Sequence, residues 1–455
     1  MPISPAAKDS IKATLDGVSS QGTTGINGLV FLAVDKTGDH LVSHASGTRS
    51  IDSKDPMDLD TAFWMASCTK LFTCIAVLQQ VEAGKIPLDD ADFVGSVAPE
   101  IKAKKVFADG VTPKDQEKQV TMRMLLSHTA GFAYSFMDPR VYVYPRFSVS
   151  FCGDNLSCMR LRKAEFRKTR PDVNAWTSLT FYLCELRQGI DEFVGDEEQI
   201  LKSPMVNQPG SMWEYGVSMD WAGIILERTL NTKLGDYFQQ HIFTPLQIST
   251  MTMFPSASTL SNLAQFHQRD PTTQTLAPRP HFYESALTSN TSPEEKRKNV
   301  FQSGGAGLFG APKDFAKVLA TLLNDGTSPE TGKQILNKET VELMFENQIK
   351  EFPDFARSGA PPANPLLCNP LPEIYPQPSN PPQGWSFAGF VTIAPGLTGR
   401  GTNTVWWSGL ANLFWWVDRE KGVGGVIASQ VFPFGDPVVM GAWGAAEAGV
   451  YQGLS

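Results

Sequence analysis

Apolar residues alternate or run unbroken near both ends of this chain, and between the ends they fall mainly into helical spacing. Gly28-Leu29-Val30-Phe31-Leu32-Ala33-Val34-Asp35 and His40-Leu41-Val42-Ser43-His44-Ala45-Ser46-Gly47 read as two strands, with Lys36-Thr37-Gly38-Asp39 as the turn between them. The run Leu71-Phe72-Thr73-Cys74-Ile75-Ala76-Val77-Leu78 predicts a helix that stops near Gly84. From about 100 to 290 the pattern is helix-rich and irregular. Helices stand out at 216–230, 233–243 and 312–325, the last with Pro312 near its first turn. Residues 352–384 hold many prolines and glycines and no period, which predicts a long surface loop, either plain decoration or a lid. Strand patterns return at 385–394, 403–408, 411–418 and 423–430, with Val417–Gly422 turning between the last two, and a helix over about 436–451 closes the chain.

Strands at both ends around a helical middle predict an α+β fold. One antiparallel sheet, flanked by helices and built from both termini, is expected from residues 1–100 and 295–455, with 101–294 as an inserted, mainly helical lobe. Clefts form between such lobes, so the site is expected at the seam. The length of 455 residues exceeds what one hydrophobic core supports, which agrees with two lobes. A net charge of -8 argues against a nucleic-acid partner. No run approaches the ~18 apolar residues of a membrane span. Met1-Pro2-Ile3-Ser4-Pro5 lacks the order of a secretory signal, and Gly453-Leu454-Ser455 is not a usual peroxisomal tripeptide, so a cytoplasmic protein is expected. Cys68, Cys74, Cys152, Cys158, Cys184 and Cys368 lack metal-ligand spacing; free, mostly buried thiols are expected, with no metal and no organic cofactor.

The candidate chemistry begins at Ser67-Cys68-Thr69-Lys70, the only Ser-x-x-Lys in the chain, at the head of the apolar helix. Residues three apart on a helix share a face, so the Ser67 hydroxyl and the Lys70 amine can meet. A lysine shielded from water loses basicity and can then take a serine's proton. In Leu125-Leu126-Ser127-His128-Thr129-Ala130-Gly131, His128 reads as a catalytic base or, the preferred reading, as a histidine hydrogen-bonding a loop beside the cleft. Tyr215 in Pro209-Gly210-Ser211-Met212-Trp213-Glu214-Tyr215-Gly216 reads as a proton shuttle or as a packed aromatic. Trp406-Trp407-Ser408-Gly409-Leu410 reads as a strand edge whose glycine permits close backbone approach and whose amides can face an oxyanion.

In this order, Ser67-x-x-Lys70, Tyr215 and Trp407-Ser408-Gly409 resemble the serine β-lactamase and penicillin-binding protein superfamily, in its class C and esterase branch. Met65–Lys70, Trp213–Gly216 with Asp220–Gly223, and Ser303-Gly304-Gly305-Ala306-Gly307-Leu308-Phe309 are similar to fungal lovastatin acyltransferase-type transesterases. The resemblance runs from about residue 25 to the C-terminus and fades over 140–200 and 350–385. It implies a β-lactamase/transpeptidase-like fold. It also implies Ser67 as the acylated nucleophile, Lys70 as its partner, Tyr215 as principal general base, and the amides of Ser67 and Leu410 as the oxyanion hole. Which of Lys70 and Tyr215 takes the first proton is left open. Trp407, Ser408, Gly409, Tyr134, Phe136 and Gly305 are implied as substrate contacts, although residues 303–308 also read as a plain turn before the helix at 312.

Two departures bear on the reaction. Val217 stands where lactamases of this branch have an asparagine, and Trp407 where they have a lysine that pairs with the β-lactam carboxylate. A lost charge partner in a desolvated site costs ~2–5 kcal/mol, which argues against lactamase activity. The expected function is therefore a serine acyltransferase moving an acyl group from a thioester donor, CoA-like or carrier-bound, to a small alcohol or amine in secondary metabolism. A carboxylesterase using the same acyl-serine is the alternative, and a non-catalytic binding protein on the same fold is a further one. Arg160, Arg162, Lys163, Arg167, Lys168 and Arg170 form a basic run that reads as a solvated helix face or as a dock for an acidic carrier protein.

Overall fold

The computed structural model describes residues 2–143, 190–281, 283–287, 293–357, 361–371 and 379–454. Helix α1 (Pro5–Ser19) leads into strands β1 (Gly28–Asp35) and β2 (His40–Gly47), then into helix α2 (Thr69–Glu82). Helices α3 (Ser218–Leu230) and α4 (Pro312–Leu323) follow. Next come strands β3 (Gly384–Trp385), β4 (Phe390–Thr392), β5 (Thr404–Gly409), β6 (Leu413–Asp418) and β7 (Val423–Ala428), and helix α5 (Pro437–Gly453). The strands form one antiparallel seven-stranded sheet in the order β2-β1-β7-β6-β5-β4-β3. The two ends of the chain meet at β1 and β7, where Val30 faces Ala428 and Phe31 faces Ile427.

Both sheet faces are covered, which explains why β1 is apolar and buried along its whole length. On one face α5 brings Trp443 flat against Phe414, ring centroids 4.3 Å apart, with α1 packed on α5. On the other face α4 sets Phe315 against Trp415. Alternation along β5 and β6 therefore divides the tryptophans. Trp406 turns towards Trp443, whereas Trp407 turns towards Tyr215. Helix α2 is buried from Thr69 to Leu78, so its apolar residues occupy its whole circumference rather than a stripe.

Several elements differ in detail from the sequence pattern. The strand expected over 385–394 is a hairpin of two short strands, because the Ser386 hydroxyl accepts from the amides of Ala388 and Gly389 and forces a turn. The helix expected over 233–243 is α-helical at Leu234–Phe238 and π-helical at Gln239–Phe243. The helix expected from 216 begins at Ser218; a side chain at Gly216 would collide with the backbone of Phe132 and Ala133. Cys68, Cys74 and Cys368 are free and buried, while Cys152, Cys158, Cys184 and the basic run from Arg160 to Arg170 lie outside the described residues.

Candidate active site

Ser67 sits in a short 3-10 turn, Ala66–Cys68, that runs directly into α2. Ala66 holds φ at 45°, a left-handed conformation that costs a residue with a Cβ ~1–3 kcal/mol. Surrounding hydrogen bonds hold this turn in place: the Met65 amide donates to the Leu308 carbonyl (2.8 Å) and the Leu308 amide to Thr69 Oγ1 (3.0 Å). One turn along, Lys70 is buried and its three N–H bonds all find acceptors. These are Ser67 Oγ at 3.1 Å, the Tyr134 hydroxyl at 2.9 Å and the Gly305 carbonyl at 2.9 Å. Burial pushes the Lys70 ammonium down to about 7, with the nearby Asp220 charge partly opposing the shift.

Tyr215 lies just before α3 and is buried beside this pair. Its hydroxyl accepts from Trp407 Nε1 at 2.8 Å and also bonds with the Ser67 side chain. Burial raises the phenol well above its ordinary value, although both bonds favour the phenolate, so Tyr215 is neutral near pH 7. Five residues on, buried Asp220 accepts from Ser303 Oγ (2.5 Å) and from the Gly305 amide (3.1 Å). It thus fixes the loop whose carbonyl receives Lys70. A side chain at Gly305 would stand 2.5 Å from Asp220 Oδ2, which is why that position is glycine.

His128 packs its ring against Tyr215, centroids 4.7 Å apart, and its Nδ1 meets no partner among the described residues. Burial first, and the charge of Lys70 second, hold it well below the ordinary imidazole value. It is a neutral slab behind Tyr215. Its link to the neighbouring loop is its carbonyl, which accepts from the Glu214 amide at 2.8 Å.

These groups open on a cleft of about 570 Å³, within the range of small-molecule sites. Ser67, Tyr215, Trp407, Ser408, Leu410, Tyr134 and Phe136 all line it. Lys70, Gly305 and Gly409 lie behind the wall: Gly305 supports Lys70, and Gly409 lets β5 approach the Met65 carbonyl, which a Cβ there would meet at 2.7 Å. The amides of Ser67 and Leu410 donate to no acceptor among the described residues, and both residues border the cleft. The Pro-rich segment is not detached decoration: Phe355, Cys368 and Leu371 form part of the wall. Trp64, Phe193 and Phe434 also line the cleft without any local mark in the sequence. The roles of Tyr134 and Asp220 around Lys70 were not evident from sequence either. The one local signal for Asp220 is a carboxylate directly before the apolar run Trp221–Leu226 of its helix.

Known proteins are similar to this chain over most of its length. A family model described as Beta-lactamase matches residues 15–449. The lovastatin esterase of Penicillium rubens is 29% identical over 89% of this chain and 89% of its own length. The monacolin J acid methylbutanoyltransferase of Aspergillus terreus is 27% identical over 91% of this chain and 88% of its own. Among solved structures, unliganded simvastatin synthase from Aspergillus terreus superposes with a TM-score of 0.70 at 24% identity, covering 99% of both chains.

Proposed function

Since this chain belongs to the β-lactamase family, we propose that it is a serine acyltransferase that carries an acyl group on Ser67 from a thioester donor to a small alcohol or amine. The observation that carries this reading is the Lys70 amine, 3.1 Å from Ser67 Oγ and with its pKa lowered to about 7. Burial thus makes the unprotonated amine, which can take the serine proton, accessible near neutral pH. Tyr215 holds its own proton more tightly, which favours Lys70 as first acceptor and Tyr215 as relay. Ser67 Oγ then attacks the thioester carbonyl, and the amides of Ser67 and Leu410 receive the oxyanion. Collapse expels the sulfur, which takes the proton from Lys70 and leaves as the thiol, so that the acyl-serine forms with Lys70 neutral again. The acceptor hydroxyl or amine loses its proton through the same Tyr215–Lys70 pair as it attacks.

Transfer rather than hydrolysis is supported by the aromatic wall of Trp64, Phe136, Phe193, Trp213 and Trp407, which keeps water sparse around the acyl-serine. The relatives named as methylbutanoyltransferases of monacolin J acid, from Aspergillus terreus, and of ML-236A carboxylate, from Penicillium citrinum, support a role in natural-product biosynthesis. The lovastatin esterase among them supports hydrolysis as the second reading. A cytoplasmic location is part of the proposal, supported by the free thiols. No helix among the described residues is long and apolar enough to cross a membrane. Docking of an acidic carrier on Arg160–Arg170 remains a proposal from charge alone.

Intact-protein mass spectrometry after mixing with a short acyl thioester tests the reading. An adduct absent from Ser67→Ala and discharged by an added alcohol or amine is the expected result. Discharge by water at a rate that no acceptor changes would replace transferase by esterase, and no adduct with any thioester or ester would remove both.

A further inference from the structure

The three oxygens around Lys70 Nζ differ in what they can do. The Gly305 carbonyl at 2.9 Å only accepts, whereas the Ser67 hydroxyl at 3.1 Å and the Tyr134 hydroxyl at 2.9 Å can each accept or donate. The ammonium offers three N–H bonds and fills all three sites. The neutral amine offers two N–H bonds and one lone pair, so one hydroxyl must donate to it while the other accepts. Only when Ser67 is the donor does the lone pair stand where it can take the serine proton.

The ends of the hydrogen-bonded chain choose between the two arrangements. At one end Trp407 Nε1, which can only donate, bonds the Tyr215 hydroxyl at 2.8 Å, and Tyr215 in turn bonds with Ser67. At the other end the Gly305 carbonyl can only accept. Donation therefore runs from Trp407 through Tyr215 and Ser67 to Lys70, and the second N–H of the amine falls to Tyr134. The Tyr134 oxygen is held in place to receive it. Its amide donates to the Tyr215 carbonyl at 3.3 Å, and the amide and hydroxyl of Ser135 both bond the buried Glu192 side chain, at 2.6 and 2.8 Å. Its ring stacks on Phe136, centroids 5.1 Å apart. Burial first, and then Asp220, Tyr215 and Glu192, push the Tyr134 phenol well above its ordinary value, so it keeps its own proton.

From this we infer that Tyr134 is a positioning residue: its oxygen accepts the second N–H of neutral Lys70 and thereby turns the amine's lone pair onto the Ser67 hydroxyl. The proton then passes from Ser67 Oγ to Lys70 Nζ, breaking the O–H bond and forming a third N–H, while Tyr134 keeps its own proton. The new ammonium finds the same three oxygens, so the transfer needs no movement of heavy atoms. The inference rests on the acyl-serine reading for the activation of Ser67, and on neither the thioester nor the acceptor. Among the described residues, the other ionisable groups facing Lys70 are Asp220 from α3, Tyr215, His128 and, in the turn before α2, Cys68. Burial keeps Cys68 and His128 uncharged.

The rate at which a fluorophosphonate labels Ser67, measured across pH with Ser67→Ala as the blank, reads the serine's activation without any thioester or acceptor. In the parent protein that rate is expected to rise through about pH 7, as Lys70 loses its proton. Tyr134→Phe keeps the ring against Phe136 and removes only the oxygen. With one acceptor fewer the ammonium is less favoured, so the limb is expected to move down by roughly half a unit to one unit. The amine can then aim an N–H at Ser67 as readily as its lone pair, so the plateau rate is expected to fall about tenfold. Phe136→Leu disturbs the same stack without touching Lys70, and it is expected to leave the limb in place whatever it does to the rate. A Tyr134→Phe limb at the parent position, a plateau within about twofold of the parent, or an equal shift in Phe136→Leu overturns the inference. So does a parent rate with no rise through pH 7, since Lys70 is then not the base that Tyr134 serves. Acylation by thioesters is scored separately. If no thioester acylates Ser67 while the limb and its shift hold, the transferase reading fails and the role of Tyr134 stands.

Discussion

At Lys70 one cause has two opposite effects, because the burial that makes the amine a usable base also makes the ammonium expensive to hold. The unfolded chain carries Lys70 with a pKa near 10.4 and the folded protein with one of about 7. Between those values the unfolded state binds more protons, so this group's contribution to stability rises as pH climbs from 7 towards 10.4. Lys70→Met is expected to flatten that rise in denaturant titrations at several pH values, removing a penalty of a few kcal/mol that is fullest below pH 7. Catalysis follows the same proton. The kcat/KM for a simple ester should rise through about pH 7 as Lys70 becomes neutral. Asp220 raises Lys70, so Asp220→Asn should move that limb to lower pH; a limb that stays in place would show that Lys70 is not the titrating base. Ser67 and Lys70 are legible in the chain because the pair is local. Tyr134 and Asp220 are not, because their meeting with Lys70 spans long stretches of sequence.

The elements show where backbone, rather than side chain, sets the site. Strand β5 comes close to the Ser67 turn because Gly409 allows it, and the oxyanion hole proposed from the Ser67 and Leu410 amides depends on that approach. In Gly409→Ala the new methyl would meet the Met65 carbonyl at 2.7 Å. We expect a loss of about 1–3 kcal/mol in chemical denaturation and a fluorophosphonate labelling rate at Ser67 lowered at least tenfold. Gly441 in α5 provides the opposite case, since nothing lies within 4 Å of a Cβ built there. Gly441→Ala should stabilise by about 0.5–1 kcal/mol through helix propensity alone, with labelling unchanged. Long, strongly patterned elements such as β1, β2, α3 and α4 are legible to within a few residues. The hairpin of β3 and β4 is not, since its break depends on one serine hydroxyl bonding its own turn.

Across the whole molecule, the returning C-terminal strands are tied to the closing helix by a buried pair. Arg400 Nε and its terminal nitrogen hold Glu447 at 2.5 and 2.6 Å, and Thr398 adds a third bond. Removing one partner strands the other charge in the interior, so Glu447→Ala is expected to cost about 3–5 kcal/mol and to lower the thermal midpoint markedly. Ser67 labelling should persist at temperatures where the variant is still folded, because the pair lies on the far side of the sheet from the cleft. A midpoint within a degree or two of the parent would mean that the pair adds little.

By itself the sequence determined what repeats or lies close together along the chain: the period of β1, β2 and the long helices, the pairing of the two ends in one sheet, the Ser67–Lys70 couple, and the ordered motifs that mark the family. Those features are local, so short-range sterics and burial patterns record them. Tertiary structure alone decided which tryptophan of each adjacent pair faces the cleft, that the Pro-rich segment walls it, and that His128 is a neutral slab behind Tyr215. It also decided that Lys70 is held by Tyr134 and Gly305. Each of these depends on desolvation and on contacts between segments far apart in the chain, which no local pattern encodes.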